Sequence, residues 1–323
     1  MTRHVTSTIQ RTAAMDRVPD KAAPSRKARR EIDGILLLDK PLGLSSNAAL
    51  QQVRALFGAA KAGHAGSLDP LASGMLPVCF GQATKVCGRL LAAGKTYRVM
   101  VQLGARTESL DCETPVVEQR PLPSLSESDV DAALAALTGE QDQVPPMHSA
   151  VRHEGKRLYE LARRGESVER PARRIVIRRL ERIGPVTDRL EFEVDCSKGT
   201  YIRTLAADIA ARLGTIGYVS ALRRTAVEPF SGRMYTLAEV KEQPDREALL
   251  LSTDTVFQDL PATRLDETAE KSLMQGQVVS ATPAAVEGQL LRAYAAGGQF
   301  LGLVEGRPHG RVQPVRLFVS VTD

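Results

Sequence analysis

The segment Gly63-His-Ala-Gly-Ser-Leu-Asp-Pro70 carries the strongest local signal for chemistry. Gly63 and Gly66 permit a positive φ or a close approach to a ligand. Pro70 steers Asp69 away from the α region, so its carboxylate stands on a fixed extended backbone. That suits nucleophilic or general-base work. An Asp-Pro pair also starts turns in which the carboxylate bonds its own backbone, and pattern alone favours this plainer reading. His64, in the same loop, could be a base, a ligand or a stacking group.

A second constellation is Cys196-Ser-Lys-Gly-Thr-Tyr-Ile-Arg-Thr204, where a strand passes through a glycine turn into a helix. Tyr201 and Arg203 fall in the first turn, where backbone N–H groups favour an anion. Arg203 there could hold a carboxylate ionised through a bidentate pair; the plainer reading is a solvent-facing helix arginine. Tyr97 lies on the inward face of a strand, as a core tyrosine or a ring that stacks on a planar substrate. Of the histidines only His148 and His153 are neighbours, and no ligand spacing exists, so a metal site is not suggested.

The elements that must position these residues can be read from spacing. Residues 35–38 form a buried strand that ends at a Pro/Gly turn. Ser45 or Ser46 caps a helix bearing Leu50, Val53 and Leu56–Phe57, stopped at Gly58. Residues 61–81 read as one long loop, since three glycines and a proline preclude a regular helix. A short helix over 83–91 and an alternating strand over 97–103 follow. Residues 105–125 are irregular, and Ser126 caps a helix closed at Gly139. A loop spans 143–150 and a short helix 156–164. Strands at 173–183 and 190–196 pair, and a helix then buries Ile202, Leu205, Ile209 and Leu213. Residues 241–247 look like a boundary. Beyond about 250, short apolar runs alternate with glycine turns, as in a small β-rich module.

The chain has 323 residues with 43 basic and 38 acidic side chains. The excess is local: residues 1–30 hold 8 basic and 2 acidic side chains, and residues 152–182 hold 11 and 5. Such clustering favours a polyanionic partner, and the internal cluster reads as phosphate contacts or as a solvated face. Residues 1–30 read as a disordered basic arm, weakly like a transit peptide. No apolar run approaches a membrane span. The 4 cysteines are widely spaced without C-x-x-C, which argues against a zinc site or a disulfide framework and fits a reducing cytoplasm. Aromatics are 4% and Trp is absent, so extended stacking platforms for single strands are not expected.

Taken together, these pieces resemble one family. Gly34-Ile-Leu-Leu-Leu-Asp-Lys-Pro-Leu-Gly-Leu-Ser-Ser46 and Ala62-Gly-His-Ala-Gly-Ser-Leu-Asp-Pro-Leu-Ala-Ser-Gly-Met-Leu-Pro77 are similar to the TruB family of RNA pseudouridine synthases. Ala83-Thr-Lys85, Lys95-Thr-Tyr-Arg98, Pro146-Met-His-Ser-Ala150, Gly155-Lys-Arg-Leu-Tyr159 and Cys196-Ser-Lys-Gly-Thr-Tyr-Ile-Arg203 follow in family order. The tail from about 250 resembles, more weakly, the small PUA-like RNA-binding module of bacterial members.

The resemblance implies an α/β (α+β) catalytic domain over 31–245 around a mixed, mainly antiparallel sheet. It also implies a basic RNA-binding region at 152–182 and a PUA-like module at 250–323. It implies isomerisation of uridine 55 in the T-loop of tRNA to pseudouridine, with base flipping, no cofactor, no metal, no obligate protein partner and a monomeric, cytoplasmic enzyme. Asp69 is then the nucleophile, Tyr97 stacks on the base, and Arg203 pairs with Asp69. Lys40 and Pro41 support the pocket floor and Leu222 packs under the base. His64 fills the space the base leaves, and Tyr201 and Asp111 are further substrate- or RNA-binding positions. Ala65, Ser67, Ser73, the segment 106–115 and His148 depart from the usual family residues. Two alternatives stand: a guide-RNA-dependent synthase, and a non-catalytic tRNA-binding or tRNA-folding protein. A glycoside hydrolase is disfavoured because no second carboxylate stands in a catalytic motif.

Overall fold

A computed structural model describes residues 29–149, 152–153, 155–162 and 164–318. The basic-arm expectation for residues 1–28 lies outside the described residues. Order begins earlier than Ile32: Arg30 donates its N–H to Gly58 and accepts from Ala60.

The first strand, β1 (Gly34–Lys40), is almost wholly buried, and its polar end delivers Asp39 and Lys40 to the site. Helix α1 (Ser46–Phe57) starts at the Ser45 cap, whose side chain accepts from Ala48 N–H, and stops at Gly58 at φ +64°. It lays Ala49, Leu50, Val53 and Phe57 against Leu36, Leu38, Leu76 and Phe80.

The expected loop over 61–81 is mostly strand. β2 (Ala62–His64) and β3 (Ala72–Phe80) pair antiparallel, leaving only residues 65–71 as the loop that holds Asp69. Gly74 and Pro77, read as loop residues, lie inside β3 for tertiary reasons. Gly74 adopts φ +102°, and a Cβ there would stand 2.2 Å from the Arg224 carbonyl oxygen. The Pro77 carbonyl accepts from Ala65 N–H and so fastens the loop.

A 3-10 turn (Gly81–Val86) and α2 (Cys87–Ala92) lead into β4 (Lys95–Leu103). The stretch expected to be irregular contains a small hairpin, β5 (Ala105–Thr107) with β6 (Val116–Gln119). Then come α3 (Glu127–Ala135), with a Ser126–Asp129 capping box, and β7 (Gly139–Gln143). A two-stranded ribbon, β8 (Arg152–His153) with β9 (Lys156–Arg157), precedes α4 (Leu158–Ala162). β10 (Arg173–Arg182), β11 (Arg189–Cys196) and α5 (Ile202–Arg212) follow.

The element that organises the sheet is β12 (Gly217–Val227), which no periodicity announces. Two bulges, at Val219/Ala221 and Arg224/Ala226, break its alternation, and it places an arginine inside. The strand order is β1-β3-β12-β4-β11-β10-β7, with β2 added beside β3. Every pair is antiparallel except β3 with β12, so the sheet is mixed and mainly antiparallel. Helices α3 and α5 cover one face, packing Val130, Leu134, Leu205 and Ile209 on Val99, Val101, Ile175 and Phe192. Each such fully buried aliphatic contributes roughly 1.5–3 kcal/mol.

After α6 (Leu237–Glu242) the chain builds a second sheet from β13 (Ala262–Arg264), β14 (Val279–Ser280), β15 (Leu290–Tyr294), β16 (Phe300–Arg307) and β17 (Arg311–Leu317). Helix α7 (Glu267–Met274) packs on it, and its own core includes Leu265, Leu273, Val279, Leu291, Leu301 and Val304. Its last strand meets the 3-10 turn through a Lys85 bond to the Leu317 carbonyl, and the segment leading into it meets α2 through an Arg89–Asp259 ion pair.

Candidate active site

The parallel pair β3/β12 opens a slot at its start. Leu222 is in register with Ala72, three residues after Asp69, and Arg224 is in register with both Gly74 and Tyr97. A cavity of about 150 Å³ lies there, lined by Leu42, Asp69, Leu71, Asp111, Arg203 and Leu222, among others. It is smaller than the roughly 300–1,000 Å³ of drug-sized ligand sites and suits one small planar group.

Asp69 is held from behind. Its carbonyl accepts from Ala72 N–H. The buried Ser46 hydroxyl donates to the Leu68 carbonyl at 3.0 Å and accepts from Leu68 N–H at 2.7 Å. The carboxylate points forward, its side chain 52% exposed, with Oδ2 3.2 Å from Arg203 Nη2.

Arg203 is buried, so the solvent-facing reading fails. The bidentate pair expected of it is also corrected: its fork serves two carboxylates. Nη2 faces Asp69, and Nη1 lies 3.2 Å from Asp111 Oδ2. Nη1 also donates to the Ser109 carbonyl at 2.9 Å and Nη2 to the His148 carbonyl at 2.6 Å. Four acceptors around a planar guanidinium leave its orientation fixed.

Asp111 was expected as an RNA contact. Its side chain is 6% exposed, and its Oδ1 accepts from Ser109 Oγ and Glu113 N–H. It is an internal counter-charge at the wall of the slot, and it supplies the second carboxylate that no catalytic motif had indicated.

Desolvation pushes the Asp69 carboxyl above the ordinary carboxylate value. Arg203 and Lys40 oppose that shift, while Asp111 and Glu113 add to it. Lys40, wholly buried, donates to the Pro41 and Leu44 carbonyls, and burial drives its amine below the usual lysine value. It sits under the site, whereas Pro41 is exposed and contributes its carbonyl.

Tyr97 is half-buried on β4, packed on the sheet core, and burial raises its phenol. His64 lies on β2, outside the cavity wall, with Nδ1 buried and unpartnered; desolvation first, then Arg224, lowers its pKa. Tyr201 does not line the cavity. It is the residue before α5, and its backbone is bracketed by the buried Gln143, which accepts its N–H and donates to its carbonyl.

The basic stretch is less available than its charge suggested. On β10, Arg174 pairs with Glu140, Arg178 with Asp195 and Glu228, Arg179 with Glu181 and Glu193, and Arg182 with Glu127 and Asp131. A surface groove of about 710 Å³ beside α3 is walled by three of these paired arginines. Residues missed from sequence are Arg224, Ser46, Ser109 and Gln143. For Arg224 the one signal was its place in the Leu-Arg-Arg triplet with Leu222.

The fold and site define a class of α+β protein in which one exposed carboxylate stands at the mouth of an apolar slot, paired to a buried helix arginine beside a mixed sheet, and among the described residues the other carboxylate lining the slot, Asp111, is buried. The same fold occurs in a crystal structure of a Cbf5-Nop10-Gar1 complex, with TM-score 0.66 and 22% identity over 93% of this chain and 92% of that one.

Sequence comparison sharpens the class. The TruB family pseudouridylate synthase N-terminal domain matches residues 54–202, the tRNA pseudouridylate synthase B C-terminal domain 203–258, and the pseudouridine synthase II TruB C-terminal region 261–318. The tRNA pseudouridine synthase B of Chromohalobacter salexigens is 46% identical over 295 residues, 90% of this chain and 96% of that one. That of Methylobacillus flagellatus is 46% identical over 299 residues, with 90% and 97% covered. The chain belongs to the TruB family of pseudouridine synthases.

Proposed function

We propose that this protein isomerises uridine 55 in the T-loop of tRNA to pseudouridine, with Asp69 as the nucleophilic carboxylate. The observation that carries the reading is the Asp69–Arg203 pair at the mouth of a base-sized apolar slot. The N1–C1′ bond breaks, a C5–C1′ bond forms, and the proton lost from C5 is matched by one gained at N1. No external redox reagent is required.

The target base is stacked in a folded loop, so it must be extruded at a cost of a few kcal/mol. Leu222 gives it an apolar floor, Tyr97 a ring and, in this reading, His64 the group that fills the vacated stack. Arg203 opposes the desolvation that raises the Asp69 carboxyl and so favours its ionised form. The C-terminal module, read as PUA-like, and cations within 152–182 would hold the RNA. Relatives named tRNA pseudouridine synthase B, at 46% identity, support a stand-alone tRNA enzyme over a guide-dependent one.

The test is pseudouridine formation on a bare T-arm stem-loop, comparing the parent with Asp69→Ala. The parent should convert the uridine unaided, and Asp69→Ala should form no product while keeping its RNA affinity. Activity only with added guide RNA and proteins favours the guide-dependent reading. Parent-rate turnover by Asp69→Ala sinks the nucleophile assignment.

A further inference from the structure

Arg224 is among the largest fully buried side chains, 1% exposed, and the mechanism above does not use it. Its guanidinium interacts with the Tyr97 side chain, and its two backbone contacts share one pattern. Nε donates to the Met75 carbonyl at 2.7 Å and Nη2 to the Gly66 carbonyl at 2.9 Å. Gly66 lies in the loop three residues before Asp69 and Met75 in β3 six residues after it, so one guanidinium ties the start of the loop to the strand that follows it. The backbone of Arg224 is in register with Gly74 on one side and Tyr97 on the other. At Gly66, φ +80°, a Cβ would stand 3.3 Å from Arg224 Nη1, so the glycine leaves room for the grip.

Among the described residues Arg224 has no carboxylate ion pair. Arg223, its neighbour, has one, to Asp39. A buried charge satisfied by backbone carbonyls is costly to keep relative to an apolar residue of similar volume. Core stability alone would be served by a hydrophobe; Arg224 instead ties the irregular backbone at Gly66 to the ordered strand at Met75.

We infer that Arg224 is a positioning residue, which staples Gly66 of the Asp69 loop to Met75 of β3 and so fixes the carboxylate against the floor made by β12 and the Tyr97 strand. This rests on the isomerase reading above for its kinetic consequence and on geometry alone for the loop. A staple of this kind governs orientation, and a displacement of about 1 Å at a reacting group costs on the order of a hundredfold in rate.

The experiment uses the full chain with Arg224→Lys and Arg224→Gln. It reads single-turnover pseudouridine formation at saturating T-arm stem-loop, RNA affinity, thermal unfolding, and hydrogen exchange of amides 65–75. The expected result is a rate loss of about a hundredfold with affinity within about threefold. Exchange should speed up in 65–75 and stay unchanged in α3 and the C-terminal sheet, with Arg224→Lys the milder variant. Parent rate with unchanged exchange in both variants overturns the inference. So does loss of cooperative unfolding in both, because Arg224 would then serve the core at large. If the parent makes no pseudouridine in any tRNA substrate while 65–75 still loosens selectively, the staple stands and the isomerase reading falls.

Discussion

Asp69 and Arg203 meet through one oxygen and one nitrogen, 3.2 Å apart, while the other nitrogen of the same guanidinium faces Asp111 at the same distance. One arginine is thus shared between an exposed carboxylate and a buried one. The Asp69 carboxyl lies above its ordinary value because desolvation and Asp111 outweigh the opposing cations. If the carboxylate is the reacting form, the rate falls as pH drops through this raised value, earlier than for a free aspartate.

Arg203→Met removes the largest influence holding that value down. Its acid limb should move to higher pH, and a buried Asp111 left unpaired should cost about 3–5 kcal/mol of stability. Arg203→Lys keeps the charge but cannot span two carboxylates, so it should lose rate with a smaller displacement of the limb. Single-turnover rates across the acid range decide; identical profiles for the two variants would contradict the shared-fork geometry.

Asp111→Asn should act in the opposite sense. It deletes a neighbour that raises the Asp69 value and frees Arg203 for Asp69 alone, so the acid limb moves to lower pH. The amide can still accept from Ser109 and Glu113, which limits the stability loss to roughly 1–3 kcal/mol. A limb shifted upward would place Asp111 outside the electrostatics of the site.

Ser46→Ala strips both hydrogen bonds from the Leu68 peptide, next to Asp69. Two buried backbone groups then lack partners, at about 1–3 kcal/mol each. Thermal unfolding should drop by several degrees, and turnover should fall more than RNA affinity. Affinity falling as much as turnover would instead make Ser46 part of the RNA surface.

RNA binding should weaken steeply with salt, with a slope near −0.7 to −0.9 per phosphate contact. Arg182 is 15% exposed and engaged by Glu127 and Asp131. Arg182→Gln should therefore leave the salt slope unchanged, within about one contact. A slope reduced by a full contact would return β10 to the RNA interface.

Much of the fold was legible because it rests on local rules. The Ser45 and Ser126 caps, the stop at Gly58, the alternation of β4 and β11, and the Ile202–Leu205–Ile209 face all follow from spacing and capping. What stayed hidden was non-local. β12 carries two bulges and a buried charge, so its alternation is unreadable. β3 holds a glycine and a proline that only its neighbours make sense of. The arginines of β10 looked free because their carboxylates come mostly from α3, β7 and β11.

By itself the sequence singled out the candidate residues and the family: one Asp-Pro carboxylate in a glycine loop, an arginine after a Lys-Gly-Thr turn, and the order of motifs that the family shares. Those are matters of residue type and short-range backbone preference. Tertiary structure alone decided the charges. It split Arg203 between Asp69 and Asp111, turned Asp111 from a surface contact into an internal counter-charge, paired Arg174, Arg178, Arg179 and Arg182 of β10 with carboxylates, and buried Arg224 between the Asp69 loop and β3. Electrostatic roles depend on distance and desolvation, and both are set by which strands the sheet brings side by side.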